Sequence, residues 1–232
     1  MRDGILEKGI PRGKIHVIPN SADLELFNVS QSAGIAFRKK YDWLQERPLI
    51  VYTGTLGEIN GVDYLVRLAA LVKEQDSEIR FLVIGQGKEE TKIYQLAKEL
   101  NVLNINFFMI NSLPKKAMPQ VLSAATLATS LFVDLKAMWD NSANNFFDAL
   151  ASGTPIAINY GGWQADLLNE TGAGIVLSPT DINQSAMTLI KICHDKQWLE
   201  KASQSARKLA EDKFNRDQLA KQLESVLQLA TK

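Results

Sequence analysis

The sequence predicts an α/β fold, a parallel sheet with helices on both faces, and three observations predict it. From residue 47 onward, short apolar runs alternate with longer amphipathic stretches, the order that gives strand, crossover helix and next strand. The runs at 48–53, 79–84 and 156–159 are largely apolar, as expected of strands covered on both sides. Glycine-containing polar loops follow several of these runs, at the ends where a parallel sheet hands over to its helices.

Each element then takes its place in chain order. Residues 1–13 read as a fragment of helix and turn with little to pack against, 14–19 as a short strand and 20–27 as a turn. Residues 31–46 read as a helix with Phe37, Tyr41 and Trp43 on its apolar side. A buried strand at 48–53 leads to a helix at 61–74, where Leu65, Leu68 and Val72 recur at helical spacing. Strand 79–84, helix 88–100, strand 104–110, helix 114–123 and strand 125–133 follow. A helix then starts near Ala143 or Asn144 and stops at Gly153, a residue suited to the left-handed turn that ends helices. Strand 156–159, helix 164–169 and strand 174–177 complete the alternation, and only helices come after, at 181–193, 196–212 and 216–230.

Composition narrows the function classes. The 232 residues are 46% hydrophobic and 22% charged, with Lys+Arg and Asp+Glu balanced at 26 each. No overall field draws in nucleic acid or an anionic membrane, and no apolar run approaches the roughly 20 residues of a membrane span. The single Cys193 excludes an internal disulfide and fits a reducing compartment, with the cytoplasm as the expected location. His16 and His194 stand alone in the sequence and are read as structural.

The stretch 139–158 carries the strongest chemical signal. A polar segment, Asp140 to Ser142, precedes the helix that begins near Asn144, and Asp148 lies one turn into it. The unpaired amides of a helix start favour an anion. Asp148 would repel a phosphate but can accept a diol beside it, so a phosphate attached to a ribose fits the layout. In a parallel sheet ligands sit beyond the carboxyl ends of the strands, and three further loops lie there. Gly54-Thr55-Leu56-Gly57 runs on to Asn60-Gly61: its glycines allow close approach, and Thr55 and Asn60 can donate hydrogen bonds. Gly85-Gln86-Gly87 is weak on its own and lacks the third glycine of a dinucleotide fingerprint. The loop 109–113 can be read as a simple turn in which Ser112 caps the helix at Pro114. Lys115 and Lys116 read as a solvated helix start on the site side of the sheet. Gly161, Gly162 and Trp163 either close over a ligand or turn the chain, with Trp163 a half-buried packing residue.

Asp140 and Asp148, separated by seven residues and followed by Ala-Leu-Ala-Ser-Gly-Thr-Pro-Ile, resemble the nucleotide-sugar motif of retaining GT-B glycosyltransferases of family 4. Ser142, Asn144, Phe147, Asp148, Leu150, Ala151 and Gly153 match the pattern of a branch that makes bacterial surface polysaccharides, while Asn145 stands where that branch has lysine. Most family members also carry Arg near Thr55 and Lys near Asn60, and this chain has neutral polar residues at both. Ile18, Pro19, Asn20, Asp23 and Phe27 resemble the family's interdomain passage.

The resemblance implies a Rossmann-like sheet that forms the C-terminal half of a GT-B fold. Residues 1–30 would be the interdomain passage and the end of an N-terminal domain, 31–194 the nucleotide-sugar-binding domain and 195–232 C-terminal helices. It implies a nucleoside diphosphate sugar as donor substrate, with Asp148 taking the ribose hydroxyls and Asp140 orienting the donor sugar. The diphosphate would rest on Ser142, Asn144 and Asn145 at the helix start, together with Gly54, Thr55, Asn60, Gly61 and Gly85. The backbone at Ile110 would lie near the nucleobase. No metal or other cofactor is expected, since amides would take the cation's part. The acceptor, a sugar or a lipid-linked one, would bind through the N-terminal domain of a longer protein that has scope for peripheral membrane association, and this piece would bind donor without turnover. Two alternatives remain: a non-catalytic, degenerate GT-B module, and another GT-B enzyme such as a nucleotide-sugar epimerase.

Overall fold

The structure, a computed structural model, describes residues 2–230; the parts of the terminal readings that fall on Met1, Thr231 and Lys232 lie outside the described residues. Six strands, β1 (Leu49–Thr53), β2 (Arg80–Ile84), β3 (Phe107–Ile110), β4 (Leu127–Ser130), β5 (Ile156–Ile158) and β6 (Gly174–Val176), form one sheet in the order β3-β2-β1-β4-β5-β6. All neighbours run parallel, with Leu49 opposite Arg80 through to Thr53 opposite Ile84 in the β1–β2 pair. The helices are α1 (Arg2–Leu6), α2 (Gln31–Arg38), α3 (Asp63–Gln75), α4 (Glu90–Glu99), α5 (Met118–Ala124), α6 (Asn144–Ser152), α7 (Trp163–Thr171), α8 (Ile182–His194), α9 (Lys196–Lys213) and α10 (Arg216–Ala230).

Period-two alternation along β1 divides the core in two. Leu49 and Val51 point into one apolar layer with Val121, Phe146 and Leu150, whereas Ile50 and Tyr52 join Leu65, Leu68, Val72 and Leu189 in the other. Helices α3, α4 and α8 therefore cover one face, and α5, α6 and α9 the other. The predicted stripe of Leu65, Leu68 and Val72 is fully buried, each side chain contributing about 1.5–3 kcal/mol. The C-terminal helices begin at side-chain caps: Asp181 accepts from the Gln184 amide, and Asp195 accepts from the Trp198 amide, both at 2.9 Å.

Several boundaries differ from the sequence reading, each for a local reason. The expected strand at 14–19 does not form: Lys14 closes a 3-10 turn that starts at Arg12, and a bridge forms later, where Ala22 meets Asn215. The helix expected over 31–46 ends at Arg38. Its guanidinium donates to the carbonyls of Gln45, Arg47 and Ala124, which folds the chain back so that Trp43 stacks on Phe108 at 3.8 Å. Strand β3 starts late because the amides of Ile105, Asn106 and Phe107 all converge on the Val102 carbonyl. Strand β4 stops at Ser130 because the buried Asn159 side chain pairs with both the amide and the carbonyl of Phe132, at 2.9 Å each. Among the described residues no helix is long and apolar enough to cross a membrane.

Candidate functional site

The order of the sheet reverses between β1 and β4, since β2 and β3 lie to one side and β5 and β6 to the other. Loops leaving neighbouring strands diverge at such a switch point and open a crevice. A cavity of about 540 Å³ lies there. One wall is α6 with the approach to α5, through Asn144, Asn145, Asp148 and Lys115; the other is the pair of loops after β1 and β2, through Gly54, Thr55, Asn60, Gly85 and Gln86.

Helix α6 starts without a side-chain cap on Ala143; the Phe146 amide turns back to the Ala143 carbonyl at 3.1 Å, which leaves the amides of Asn144 and Asn145 as the ones a ligand could take. The turn before it is set by side chains. Asn141 accepts from the Ala143 amide at 3.2 Å, and Trp163 donates its indole N–H to the Asn141 carbonyl at 3.0 Å. From the amino-terminal passage, the Asn20 amide donates to Ser142 Oγ at 3.2 Å and its side-chain nitrogen donates to Asn144 Oδ1 at 3.1 Å. One turn further along, Asp148 is 8% exposed, and Lys115 Nζ donates to both of its carboxylate oxygens. Burial raises the Asp148 pKa above the ordinary carboxylate range; the Lys115 ammonium pulls it down, and Asp23 adds a further push upward. Lys115 also lies over the Phe27 ring, 5.3 Å from its centre.

The opposite wall is neutral and tight. A Cβ on Gly85 would stand 1.9 Å from the Gly54 carbonyl oxygen, so only glycine lets the two loops lie this close. Tyr52 donates its hydroxyl to the Thr55 carbonyl at 2.8 Å, and burial holds its phenol far above the ordinary value, so it stays a donor. Ser112 bonds Gln86 across the loops at 3.0 Å and does not cap α5, which is entered through a 3-10 turn, Lys115–Ala117.

Of the site residues read from the sequence, Gly54, Thr55, Asn60, Gly85, Asn144, Asn145 and Asp148 converge on this cavity. Ser142 lies behind the helix start, held by Asn20. Gly61 makes a left-handed turn at φ 54° beside Val133, and Ile110 ends β3 with its carbonyl accepting from the Gly85 amide. Asp140 ends an exposed 3-10 turn, Lys136–Asp140, outside the cavity wall. Gly161 and Gly162 turn the chain against the Trp139 side chain, and Trp163 is half-buried among Phe146, Phe147 and Phe214. His194 pairs with Asp76 at 2.5 Å, far from the cavity wall.

Sequence reasoning missed Lys115 as a site residue. The signal was present in its position just past the carboxyl end of β3, but a Lys-Lys pair at a helix start carries no sign of which lysine turns inward. Asn20 and Phe27 were legible only as matches to a linking passage, and their contacts with Asn144 and Lys115 come from the tertiary fold.

Comparison with known proteins gives consistent results. The family model for "Glycosyl transferases group 1" matches residues 35–209. An uncharacterized glycosyltransferase of Methanocaldococcus jannaschii is 23% identical over 95% of this chain and 55% of its own length. The 2-deoxystreptamine glucosyltransferase of Streptomyces kanamyceticus is 20% identical over 90% of the chain and 52% of its own. The chain thus spans about half the length of these curated relatives. Among solved structures, Anabaena HepE in complex with UDP superposes with a TM-score of 0.81 at 15% identity, over 98% of this chain and 61% of that one. WaaG, a glycosyltransferase involved in lipopolysaccharide biosynthesis, gives 0.74 at 18% identity, over 91% and 56%.

Proposed function

The chain belongs to the glycosyl transferases group 1 family, and from that premise we propose that it binds the nucleoside diphosphate sugar donor of a retaining glycosyltransferase. The observation that carries this reading is the uncapped start of α6 opening on the switch-point cavity, with the Asp148 carboxylate one turn beyond it. A diphosphate on the first-turn amides and a ribose diol on Asp148 use both features at once.

In a transfer of this kind the barrier lies in the charge that develops on the departing diphosphate. The α6 amides, with Thr55 and Asn60 from the opposite loop, would hold that charge without a metal ion. Asp140, in the exposed turn that precedes α6, would meet the donor sugar. The Anabaena neighbour is described with UDP and with UDP-glucose, which favours uracil as the base. A relative of the fold in lipopolysaccharide biosynthesis fits a surface glycoconjugate as product. The acceptor would be held by a part of the full protein beyond this chain, so the chain alone should bind donor without transferring its sugar.

Calorimetric titration with UDP, GDP and ADP, with and without magnesium, tests the reading. We expect one nucleotide to bind saturably and independently of the metal, and Asp148→Ala to weaken it about 100-fold or more, the loss of two hydroxyl hydrogen bonds to a charged acceptor. If Asp148→Ala leaves the affinity unchanged, the donor-site reading fails. If no nucleotide binds, the degenerate, non-catalytic module is the better description.

A further inference from the structure

The cavity wall has a single cation. Among the residues that line it, Lys115 is the only lysine or arginine and Asp148 the only carboxylate. A diphosphate brought to the α6 amides therefore meets side chains of zero net charge while Lys115 is present, and of net negative charge without it. The three positions where the family resemblance implies basic residues hold Thr55, Asn60 and Asn145. Their neutral amides and hydroxyl can donate hydrogen bonds but cannot offset Asp148.

We propose that Lys115, brought in by the loop between β3 and α5, is the cation this site uses for the donor's diphosphate, and that Asp148 stores it until the ribose takes over the carboxylate. The inference rests on the donor-site reading above. Four features of the structure support it. Lys115 Nζ already sits inside the site, bonded to both Asp148 oxygens. Its side chain is 51% exposed while that of Asp148 is 11% exposed, so the lysine is the partner free to move. The amides of Asn144 and Asn145 lie about one helical turn, ~5.4 Å, from Asp148 along α6, within the swing of a four-carbon stem. The Phe27 ring beneath the ammonium offers a weakly attractive surface for that swing.

The same carboxylate cannot offer all its lone pairs to Lys115 and to a diol together. Ribose binding at Asp148 and release of Lys115 toward phosphate are therefore linked events. A lysine whose only role was to neutralise a buried acid would not distinguish a nucleoside from its diphosphate.

That distinction is the test. The nucleoside diphosphate taken up by the wild-type chain, chosen from UDP, GDP and ADP, and the matching nucleoside are titrated into wild type, Lys115→Met and Lys115→Arg at pH 8. Thermal melting confirms that each variant is folded. We expect Lys115→Met to weaken the diphosphate about 10- to 100-fold, the range of a hydrogen bond to a charged group. The nucleoside should bind as well as before or better, the salt dependence of diphosphate binding should fall, and Lys115→Arg should restore most of the affinity. Unchanged diphosphate binding in Lys115→Met, or equal losses for nucleoside and diphosphate, overturns the proposal while leaving the donor site intact. Failure of the wild-type chain to bind any of the three overturns both.

Discussion

The two walls of the cavity face the same space and share almost no chemistry. The α6 wall holds uncapped amides and the Asp148–Lys115 pair; the wall after β1 and β2 holds glycine backbone and neutral polar groups. The first offers charge, and its central element is a side-chain pair that can change partners. The second offers shape, fixed by backbone packing that leaves no room for adjustment. A polar ligand can be recognised this way at little cost in ordering, because the shaped wall is already rigid and only one long side chain has to move. The two walls should then respond to substitution differently: the glycine backbone of the shaped wall through stability first, the side chains that face the ligand through binding.

The largest effect expected is on the shaped wall. Gly85→Ala would place a methyl group 1.9 Å from the Gly54 carbonyl oxygen, a backbone atom at the end of the central strand that can yield only by shifting β1. Overpacking of this kind costs about 1–3 kcal/mol and sometimes more, and the site of the clash argues for the upper end. Urea denaturation should show the midpoint falling accordingly, with nucleotide affinity lost as the loops separate. An alanine variant that keeps wild-type stability but loses nucleotide would mean that Gly85 serves the ligand directly, and the division between the walls would collapse.

That division also explains which parts of the site could be read from the sequence. Strands buried on both faces leave an apolar run, and amphipathic helices leave a stripe such as Leu65, Leu68 and Val72; both signals are local, so the alternation and most element limits were legible. The glycines of the shaped wall were legible for the same reason, since a glycine after a buried strand marks a turn whatever lies across from it. Lys115 was not. Its direction depends on the 3-10 turn that precedes α5 and on a carboxylate 33 positions away in the chain, and no short-range pattern encodes either. The expected strand at 14–19 failed similarly: its residues pair with no strand of the sheet, and the passage is held instead by Asn20 on the start of α6 and Ala22 on Asn215. The helix expected through Trp43 ends at Arg38, whose guanidinium folds the chain back through the carbonyls of Gln45, Arg47 and Ala124 and so brings Trp43 onto Phe108, contacts that only the fold supplies.

The charged wall should show itself through pH. Burial holds Asp148 above its unfolded pKa, so between the ordinary carboxylate value and the raised one the folded chain binds more protons than the unfolded chain. The stability that this group contributes is present below that window and is lost as pH rises through it. Ribose binding at Asp148, on the donor-site proposal, uses the ionised acid and would run the other way, strengthening as pH rises through the same window. Denaturation midpoints and the affinity for the bare nucleoside, which has no titrating phosphate, should therefore move in opposite directions. In Lys115→Met the ammonium's downward pull is gone, and both transitions should shift to higher pH. Parallel movement of stability and affinity would mean that Asp148 binds ribose in its protonated form.

The smallest effect belongs to the neutral side chains of the shaped wall. Thr55 is exposed at the loop tip, and it is its carbonyl, not its hydroxyl, that accepts from Tyr52 at 2.8 Å. Thr55→Val keeps the shape and this backbone bond while removing one donor. A net hydrogen bond is worth about 0.5–1.5 kcal/mol, so nucleoside diphosphate affinity should fall roughly two- to tenfold, with no change in nucleoside affinity or in the urea midpoint. The comparison with Lys115→Met then becomes quantitative. If Thr55→Val costs as much as Lys115→Met, the diphosphate leans on the neutral wall, and the charged pair across the cavity serves the ribose alone.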